Sequence, residues 1–165
     1  LINNAGIAHR DKATHLERET LREVLGVNVD SLFMVAQEGA RRMIRDGRGG
    51  SIINISSVLS EIPIRQVSAY SASKAAVSQI TRSLALEWAK YGIRVNEIRP
   101  GWFETSLTAP FLKGQGAAVM AGQNPTGRLG GSHDLDGVVL LLASRASAYM
   151  TGSSIVVDGG HSIGR

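Results

Sequence analysis

The spacing of hydrophobic and polar residues along the chain predicts long helices separated by short buried strands. Between Thr14 and Arg45, apolar residues recur every three or four positions, as on a helix with one buried face: Leu21, Val24, Leu25, Leu32, Val35 and Ala36. Further helices are predicted from Ser68 to Tyr91 and from Asp134 to Ala143. The glycine-rich segment from Thr105 to Gly131 predicts a mobile loop with room for a short helix.

Three strands are predicted around these helices, in the segments GGSIINIS, GIRVNEIRPG and SSIVVDGG. The three isoleucines of the first segment indicate a strand that is covered on both faces. The opening LINNAG has the pattern of a further strand. Strands joined by long helices run parallel, because the chain crosses over between them. We therefore expect residues 1–165 to form a single α/β domain, a doubly wound parallel sheet of the Rossmann type.

The carboxyl ends of the predicted strands carry polar and small residues. In such sheets, ligands bind beyond these ends. Three pairs of residues lie there: Asn3 and Asn4, Ser56 and Ser57, and Pro100 and Gly101. The fold therefore predicts a binding site where these pairs meet at one edge of the sheet.

The composition is that of a soluble globular protein, with 43% hydrophobic and 19% charged residues among 165. Cysteine is absent from the sequence, which excludes disulfides and thiolate metal sites and agrees with a reducing compartment, so we expect a cytoplasmic protein. No apolar run reaches the roughly 20 residues that span a bilayer. The histidines are scattered, at positions 9, 15, 133 and 161, so no metal site is expected.

The basic residues do not indicate a nucleic-acid partner. The formal net charge is +4, and the densest basic stretch carries Arg41, Arg42, Arg45 and Arg48. These cations lie where a helix is predicted to end, and there they complement the helix dipole. No aromatic side chains interleave with them, so a platform for stacking bases is not expected.

The segment AYSASKAA places a phenol and an amine one helical turn apart, at Tyr70 and Lys74. A nearby cation favours the phenolate, so Lys74 is expected to lower the pKa of Tyr70. Small residues around the pair would let a ligand approach: Ala69, Ala72, Ser73 and Ala75. Ser57 precedes the loop into this helix, and its hydroxyl and that of Tyr70 could share the charge that develops on a carbonyl oxygen. A Tyr-x-x-x-Lys pattern is short, however, and a surface Tyr beside a solvated Lys is the simpler alternative.

Asn28 lies on the apolar face of the first predicted helix. A buried amide costs about 1–3 kcal/mol unless it is hydrogen-bonded. The middle of a helix excludes a capping role, so the side chain must have a structural or a catalytic partner.

Together, these residues resemble the short-chain dehydrogenase/reductase family over almost the whole chain. The motifs, in family order, are NNAG at 3–6, Asn28 in VNVDSLF, Ser57 thirteen positions before Tyr70, the Tyr70–Lys74 pair, and RPGWFET at 99–105. The resemblance implies an oxidoreductase that transfers hydride between NAD or NADP and a carbonyl or alcohol. In that reading, Tyr70 transfers a proton, Lys74 assists it, Ser57 polarises the substrate oxygen and Asn28 holds a relay water. The implied cofactor contacts are Asn4, Ala5, Gly6, Tyr70, Lys74, Pro100, Gly101, Phe103 and Thr105.

The chain departs from the family in lacking the Thr-Gly-x-x-x-Gly-x-Gly loop that precedes NNAG and binds the cofactor pyrophosphate. The stretch KGQGAA is glycine-rich, but no strand precedes it. We therefore expect a Rossmann-like domain that is incomplete at its N-terminus, the C-terminal two-thirds of a family domain. The alternative is a truncated, non-catalytic remnant that acts at most as an assembly partner.

Other expectations concern the substrate and the assembly. Glu97 and Arg99 stand where the family often has small or apolar residues. Either the two pair with each other across the strand end, or Arg99 faces a partner chain. The substrate side is expected to carry Leu59, Ile62, Ile64 and Trp102 beside Glu61, Arg65 and Gln66, under a loop from Ser106 to Gln123. Such a pocket suits an oxoacyl thioester, a sugar-derived ketone or a simple ketone. Apolar residues outside the sheet-facing stripes predict a homo-oligomer, a dimer or the tetramer usual in the family: Val29, Phe33, Met43, Ile80, Leu84 and Trp88.

Overall fold

Four parallel strands form the sheet in the computed structural model, which describes residues 1–164. They are β1 (Ile2–Asn3), β2 (Gly50–Ile55), β3 (Ile93–Pro100) and β4 (Ser154–Val157), and they lie side by side in chain order. In the register of the sheet, Asn54 lies beside both Asn3 and Glu97. The predicted strands and their parallel pairing are therefore confirmed.

The first long helix differs from its prediction in two ways. It begins at Arg18 rather than Thr14, because Lys12 accepts turn hydrogen bonds from His15 and Leu16. It is also not uniform: α1 (Arg18–Leu25) continues into a π-helical segment, Gly26–Asp30, and then into α2 (Ser31–Asp46). The extra residue in the π turn lies where Asn28 is buried.

The later helices follow the sequence prediction closely. Helix α3 spans Ser68–Trp88 and is followed by a 3-10 turn. Gly92 ends this turn at φ 72°, a backbone angle that glycine adopts easily. The predicted loop contains the short helix α4 (Gly116–Gly122), and α5 (Asp136–Ala143) follows a 3-10 turn. Among residues 1–164, no helix has both the length and the apolar character to cross a membrane.

Helices cover both faces of the sheet, as a doubly wound fold requires. Ile52 and Ile53 are neighbours on β2 and point to opposite faces. On one face, α2 and α3 pack a core of Ala36, Ala40, Ile52, Leu84, Ala85, Ile93 and Val95. On the other face, α5 contributes Leu142, which packs with Ile53 and Ile98.

Only part of the apolar surface predicted to contact another subunit is exposed. Met43, Ile80 and Trp88 pack against the chain's own core, and Leu84 is 3% exposed, so these four residues give no indication of a partner. Phe33 is exposed, as are its neighbours Met34 and Val35. Val35 was predicted in the core, but it lies by β1, at the edge of the described sheet, and nothing within residues 1–164 covers it.

Candidate active site

Tyr70 and Lys74 face the carboxyl edge of the sheet from the first turns of α3. The Lys74 Nζ atom lies 5.7 Å from the centre of the Tyr70 ring. Nζ also donates a hydrogen bond of 2.8 Å to the carbonyl of Ile55, the last residue of β2. The two side chains therefore converge, as the spacing of the sequence suggested, and the lysine is held against the end of a strand.

The two serines after β2 have different environments. The Ser56 hydroxyl is buried below α3, where it donates to the Lys74 carbonyl at 3.0 Å and meets the Ser78 hydroxyl at 3.2 Å. The Ser57 hydroxyl accepts from the backbone N–H of Leu59 and lies on the cavity wall with Tyr70. Its proximity also acts to lower the pKa of the Tyr70 phenol. Ser57 is therefore the serine placed beside Tyr70, whereas Ser56 joins β2 to the helix.

The direction of the Tyr70 shift is opposite to the expectation from sequence. Burial raises the pKa of the phenol, and the proximity of the Ser57 hydroxyl only partly opposes this effect. Lys74 is itself only 4% exposed, and burial lowers its pKa to about 8, an effect opposed by the carboxylate of Glu97. Burial penalises the charged form of each group and so dominates over the nearby charge.

Asn28 is fully buried, and its amide groups are used by neighbouring polypeptide. Its Oδ1 accepts from the backbone N–H of Ile7 at 2.8 Å, and its Nδ2 donates to the Ile7 carbonyl and to the Ser73 hydroxyl, both at 2.9 Å. The Ser73 hydroxyl in turn donates to the Tyr70 carbonyl at 2.6 Å. Asn28 thus ties the segment after β1 to the first turn of α3, which is the structural partner that its burial required.

The small size of Ser73 suggested that a ligand could approach the helix there, but this is wrong. The side chain is fully buried under Asn28, and Ala69 is 4% exposed. Ala72 and Ala75 are exposed. The contact between Asn28 and Ser73 had a signal in the sequence. A buried amide needs hydrogen-bond partners, and Ser73 lies next to Lys74 and one turn from Tyr70 on the same helix.

Gly6 marks a place where the backbone comes close to the two central side chains. A Cβ atom on Gly6 would lie 3.3 Å from Asn28 Oδ1 and 3.4 Å from Lys74 Nζ. Asn4 and Ala5, which precede it, are exposed at the end of β1. The segment from Asn4 to Gly6 is therefore open beside the Lys74 ammonium. Because that ammonium has N–H groups that can donate further hydrogen bonds, the place suits a ligand rich in hydroxyl groups.

A small, mainly apolar cavity of about 50 Å³ lies in front of Ser57 and Tyr70. Leu59, Ile64 and Trp102 line it, as predicted, and Leu107, Thr108 and Phe111 of the predicted loop complete the wall. Ile62, Glu61, Arg65 and Gln66, also expected there, are not on this wall. Glu61 is paired with Arg99, while Gln66 binds the side chain of Arg10 and the backbone of Asp11.

The segment after β3 is held by its own hydrogen bonds. Gly101 donates its N–H to the Val157 carbonyl, so Pro100 and Gly101 continue the edge of the sheet. Thr108 donates its hydroxyl to the Phe103 carbonyl at 2.5 Å and also meets the hydroxyl of the exposed Thr105 at 3.1 Å. Thr108 was not identified from the sequence, because its role depends on how the loop turns back on itself.

Glu97 and Arg99 pair with each other, which confirms one of the two expectations for them. The Arg99 Nε atom donates to Glu97 Oε1 at 2.7 Å, and both side chains are buried. Arg99 also reaches Glu61, which lies just after the turn that begins at Ser57. No group of three or more histidines and carboxylates suited to a metal ion exists within residues 1–164.

Two hydroxyl groups thus face one apolar cavity, those of Ser57 and Tyr70, and the buried Lys74 ammonium lies next to the Tyr70 ring. The phenol can give a proton to a ligand oxygen or take one from it, and the serine hydroxyl can stabilise charge on the same oxygen. The ammonium lies behind the phenol, where it can assist that transfer.

The comparisons with known proteins agree with this chemistry. A family model described as enoyl-(acyl carrier protein) reductase matches residues 1–162. The chain is 45% identical, over 161 residues, to the 2-dehydro-3-deoxy-D-gluconate 5-dehydrogenase of Bacillus subtilis, covering 97% of this chain and 63% of that protein. It is 38% identical to a galactitol 2-dehydrogenase (L-tagatose-forming) of Cereibacter sphaeroides, covering 99% of this chain and 65% of that protein.

A solved structure shows the same fold. The gluconate 5-dehydrogenase of Burkholderia cenocepacia J2315, in complex with NADP and tartrate, superposes with a TM-score of 0.94 at 39% identity, covering 98% of this chain and 63% of that one. The chain therefore spans somewhat less than two-thirds of the length of these relatives. The family match, the relatives and the shared fold together place this chain in the short-chain dehydrogenase/reductase family.

Proposed function

We propose that this chain is part of an NAD(P)-dependent oxidoreductase that interconverts a carbonyl and an alcohol on a sugar-derived substrate. The observation that carries the proposal is that Ser57 and Tyr70 line one cavity, with the Lys74 ammonium 5.7 Å from the centre of the Tyr70 ring. Family membership makes this arrangement a candidate for hydride-transfer chemistry.

Each side chain has a role in the proposed reaction. Tyr70 donates a proton to the substrate oxygen in reduction and accepts it in oxidation. Ser57 donates a hydrogen bond to the same oxygen, where negative charge develops. Lys74, held by Ile55, favours the phenolate form of Tyr70 and so opposes the effect of burial. Asn28 holds the first turn of α3 in place through Ser73. In this proposal, Asn28 also holds a water molecule that relays protons between Lys74 and solvent.

The cofactor is NAD or NADP, which supplies or accepts the hydride. Lys74 and Tyr70 would bind ribose hydroxyls, and Gly6 leaves the space that this contact needs. Residues proposed to lie along the rest of the cofactor are Asn4, Ala5, Pro100, Gly101, Phe103 and Thr105. Several relatives were solved with NADP, as the Burkholderia enzyme was, and the choice between NAD and NADP stays open.

The substrate class follows from the relatives. The similar proteins act, by name, on gluconate derivatives and on galactitol, which carry several hydroxyl groups. Among the three classes expected from the sequence, the sugar-derived ketone is therefore the one we propose. The apolar cavity wall would contact the carbon chain, and the polar groups would contact the reacting oxygen.

We also propose that the protein is a cytoplasmic homo-oligomer. Phe33, Met34 and Leu86 are exposed apolar residues on α2 and α3, which lie on one face of the sheet. Such a face is typical of contact with a second copy of the chain.

The test is hydride transfer by the full-length protein, followed by cofactor absorbance with gluconate, 2-dehydro-3-deoxy-D-gluconate, galactitol and a simple ketone. We expect activity with a polyhydroxylated substrate. Tyr70→Phe should reduce kcat by at least about 100-fold, since proton transfer by a positioned group contributes about 10²–10⁴-fold. The fold should persist, because the ring is kept.

Tyr91→Phe is the matched control, since Tyr91 is 43% exposed in the turn that follows the far end of α3. It should retain the parent kcat. Near-parental turnover in Tyr70→Phe would remove the proposed role of the phenol. A folded full-length protein that is inactive with every substrate and both cofactors would favour the non-catalytic alternative.

A further inference from the structure

Glu97 is a carboxylate buried beneath the candidate active site. It lies on β3 and is 0% exposed. Alternation along the strand places Glu97 on the same face as Val95, the face that α3 covers. A charge in such a place is strongly unfavourable unless cations and hydrogen bonds compensate it.

Arg99 compensates only part of this charge, because it is shared. Its Nε atom donates to Glu97 Oε1 at 2.7 Å, and its Nη1 atom donates to Glu61. The Ser154 hydroxyl also donates to Glu97 Oε1, at 2.5 Å. One guanidinium therefore contacts two carboxylates, of which Glu97 is buried and Glu61 is largely exposed to solvent.

Lys74 is a second cation on the same side of the sheet as Glu97. Lys74 is 4% exposed and lies on α3, the helix that packs over the Glu97 face of β3. Its ammonium has three N–H donors, one of which binds the Ile55 carbonyl. Within residues 1–164, the second carboxylate oxygen of Glu97, Oε2, is buried without a hydrogen-bond partner. Between α3 and the sheet, the Glu97 carboxylate therefore has an oxygen without a hydrogen-bond partner, and the Lys74 ammonium has further N–H groups that can donate.

We infer that Glu97 is a positioning residue that acts through Lys74: anchored by Arg99 and Ser154, its carboxylate stabilises the charge of the ammonium that lies beside Tyr70. This inference rests on the proposed function, in which Lys74 acts through its ammonium.

The charged groups around Lys74 are few. Tyr70 faces it from α3, and β3 contributes Glu97 together with its buried partner Arg99. Ile55 on β2 and Asn28 on the π-helical segment are neutral. Glu97 raises the pKa of Lys74 against the effect of burial, which agrees with the inference. Removing the carboxylate should therefore make the ammonium lose its proton at lower pH.

Nitrogen-15 NMR of lysine side chains in the full-length protein tests this without any enzyme assay. The Lys74 signal is assigned by its loss in Lys74→Arg and then titrated in Glu97→Gln, which keeps the shape and the acceptor for Arg99. We expect the titration midpoint to fall by about one pH unit. The matched control is Glu61→Gln at the outer end of Arg99, where the side chain is 63% exposed; its midpoint should move by less than about 0.3 unit.

An unchanged midpoint in Glu97→Gln would overturn the inference, as would an equal shift in Glu61→Gln. If Glu97→Gln does not fold, by circular dichroism, the double variant Glu97→Gln/Arg99→Gln removes both charges and leaves no unpaired one. Loss of the Arg99 cation favours protonation of Lys74 and partly offsets the loss of Glu97, so the midpoint should fall by less than in Glu97→Gln. A midpoint equal to that of the parent would contradict the inference here too.

A second measurement connects the pair to catalysis. In Glu97→Gln, the alkaline limb of kcat/KM should move to lower pH by the same amount as the NMR midpoint. A uniform loss of activity, with an unmoved limb and midpoint, would indicate a merely structural role and overturn the inference. If no substrate is turned over at all, the proposed function fails, yet the NMR titration still decides whether Glu97 controls the charge of Lys74.

Discussion

Lys74 is a buried cation at the centre of the candidate site, and its environment works against its charge. Burial lowers its pKa from 10.5 to about 8, although Glu97 acts in the opposite direction. Such a group stabilises a reaction at a cost to the fold, as active-site charges commonly do. Near neutral pH the lysine is still largely protonated, so that cost is present where the enzyme would work.

This cost can be measured by replacing Lys74 with methionine. Between pH 8 and 10.5, the unfolded chain holds a proton on Lys74 that the folded chain has released, so the stability of the parent rises with pH relative to Lys74→Met. The difference between 10.5 and about 8 corresponds to about 3 kcal/mol. We expect the free energy of unfolding, from urea titrations at pH 7.5, 9 and 10, to diverge progressively in favour of the parent.

Lys90→Met is the control for this series. Lys90 also lies beside a tyrosine, with its Nζ 5.0 Å from the centre of the Tyr91 ring, but both residues are exposed. The stability difference between parent and Lys90→Met should be the same at each pH. A flat difference for Lys74→Met as well would show that Lys74 keeps its usual pKa in the folded chain.

For single residues, the sequence predicted which side chains lie close together, but it did not predict how deeply they are buried. The spacing of Tyr70 and Lys74 indicated that the two side chains converge, and they do. It could not indicate that Tyr70 would be buried enough to raise its pKa, because burial depends on residues distant in sequence. For the same reason, Glu97 and Arg99 were seen as a pair, while the contact to Glu61 was not.

The π-helical segment Gly26–Asp30 carries the buried side chain of Asn28. It interrupts an otherwise regular helix at Asn28, whose amide binds Ile7 on one side and Ser73 on the other. π turns are rare and are frequently found at functional sites. Here the extra residue lies next to the side chain that joins three parts of the chain, so the interruption and the hydrogen bonds belong together.

We expect Asn28→Asp to loosen the segment that follows β1. The carboxylate has the same shape, but it cannot donate to the Ile7 carbonyl or to Ser73, and burial penalises its charge although Lys74 lies nearby. The expected loss of stability is about 2–4 kcal/mol at pH 7.5. The loss should shrink at pH 5, where a buried Asp with a raised pKa is increasingly protonated. Hydrogen exchange at the Ile7 amide should become faster.

Asn96→Asp provides the matched comparison. Asn96 is also fully buried, and its amide donates to the Met150 carbonyl and accepts from the Ser153 N–H. This variant should also lose stability, but it should leave exchange at Ile7 unchanged under native conditions. Equal effects of both variants at Ile7 would mean that Asn28 does not hold this segment locally.

The elements themselves were largely predictable, and the exceptions have physical causes. Helix α3 and the strands β2 and β3 have strong apolar patterns and lie where the sequence placed them. The π segment leaves no such signature, because one inserted residue shifts the helical period only slightly. The early start predicted for α1 failed because local turn hydrogen bonds to Lys12 compete with the helix.

At the scale of the whole molecule, the fold separates the site from a second, apolar surface. The carboxyl ends of the strands carry the catalytic candidates, while the outer sides of α2 and α3 carry Phe33, Met34 and Leu86. The sequence predicted an interface on these two helices, but four of the six residues that suggested it are used in the chain's own core. The spacing of apolar residues shows which of them share a face of a helix. Which apolar face stays exposed depends on how the helix packs against the rest of the chain.

Leu86→Asp in the full-length protein tests the proposed homo-oligomer. Leu86 is 83% exposed on α3, so a carboxylate there costs the isolated chain little. In an interface, the same carboxylate would be desolvated without a partner, and we expect light scattering at micromolar concentration to show a shift toward smaller species. Val119→Asp, on α4 and 49% exposed, should leave the mass of the oligomer unchanged. A parent protein that is monomeric at this concentration, or an oligomer that both variants leave intact, would contradict an assembly built on α2 and α3.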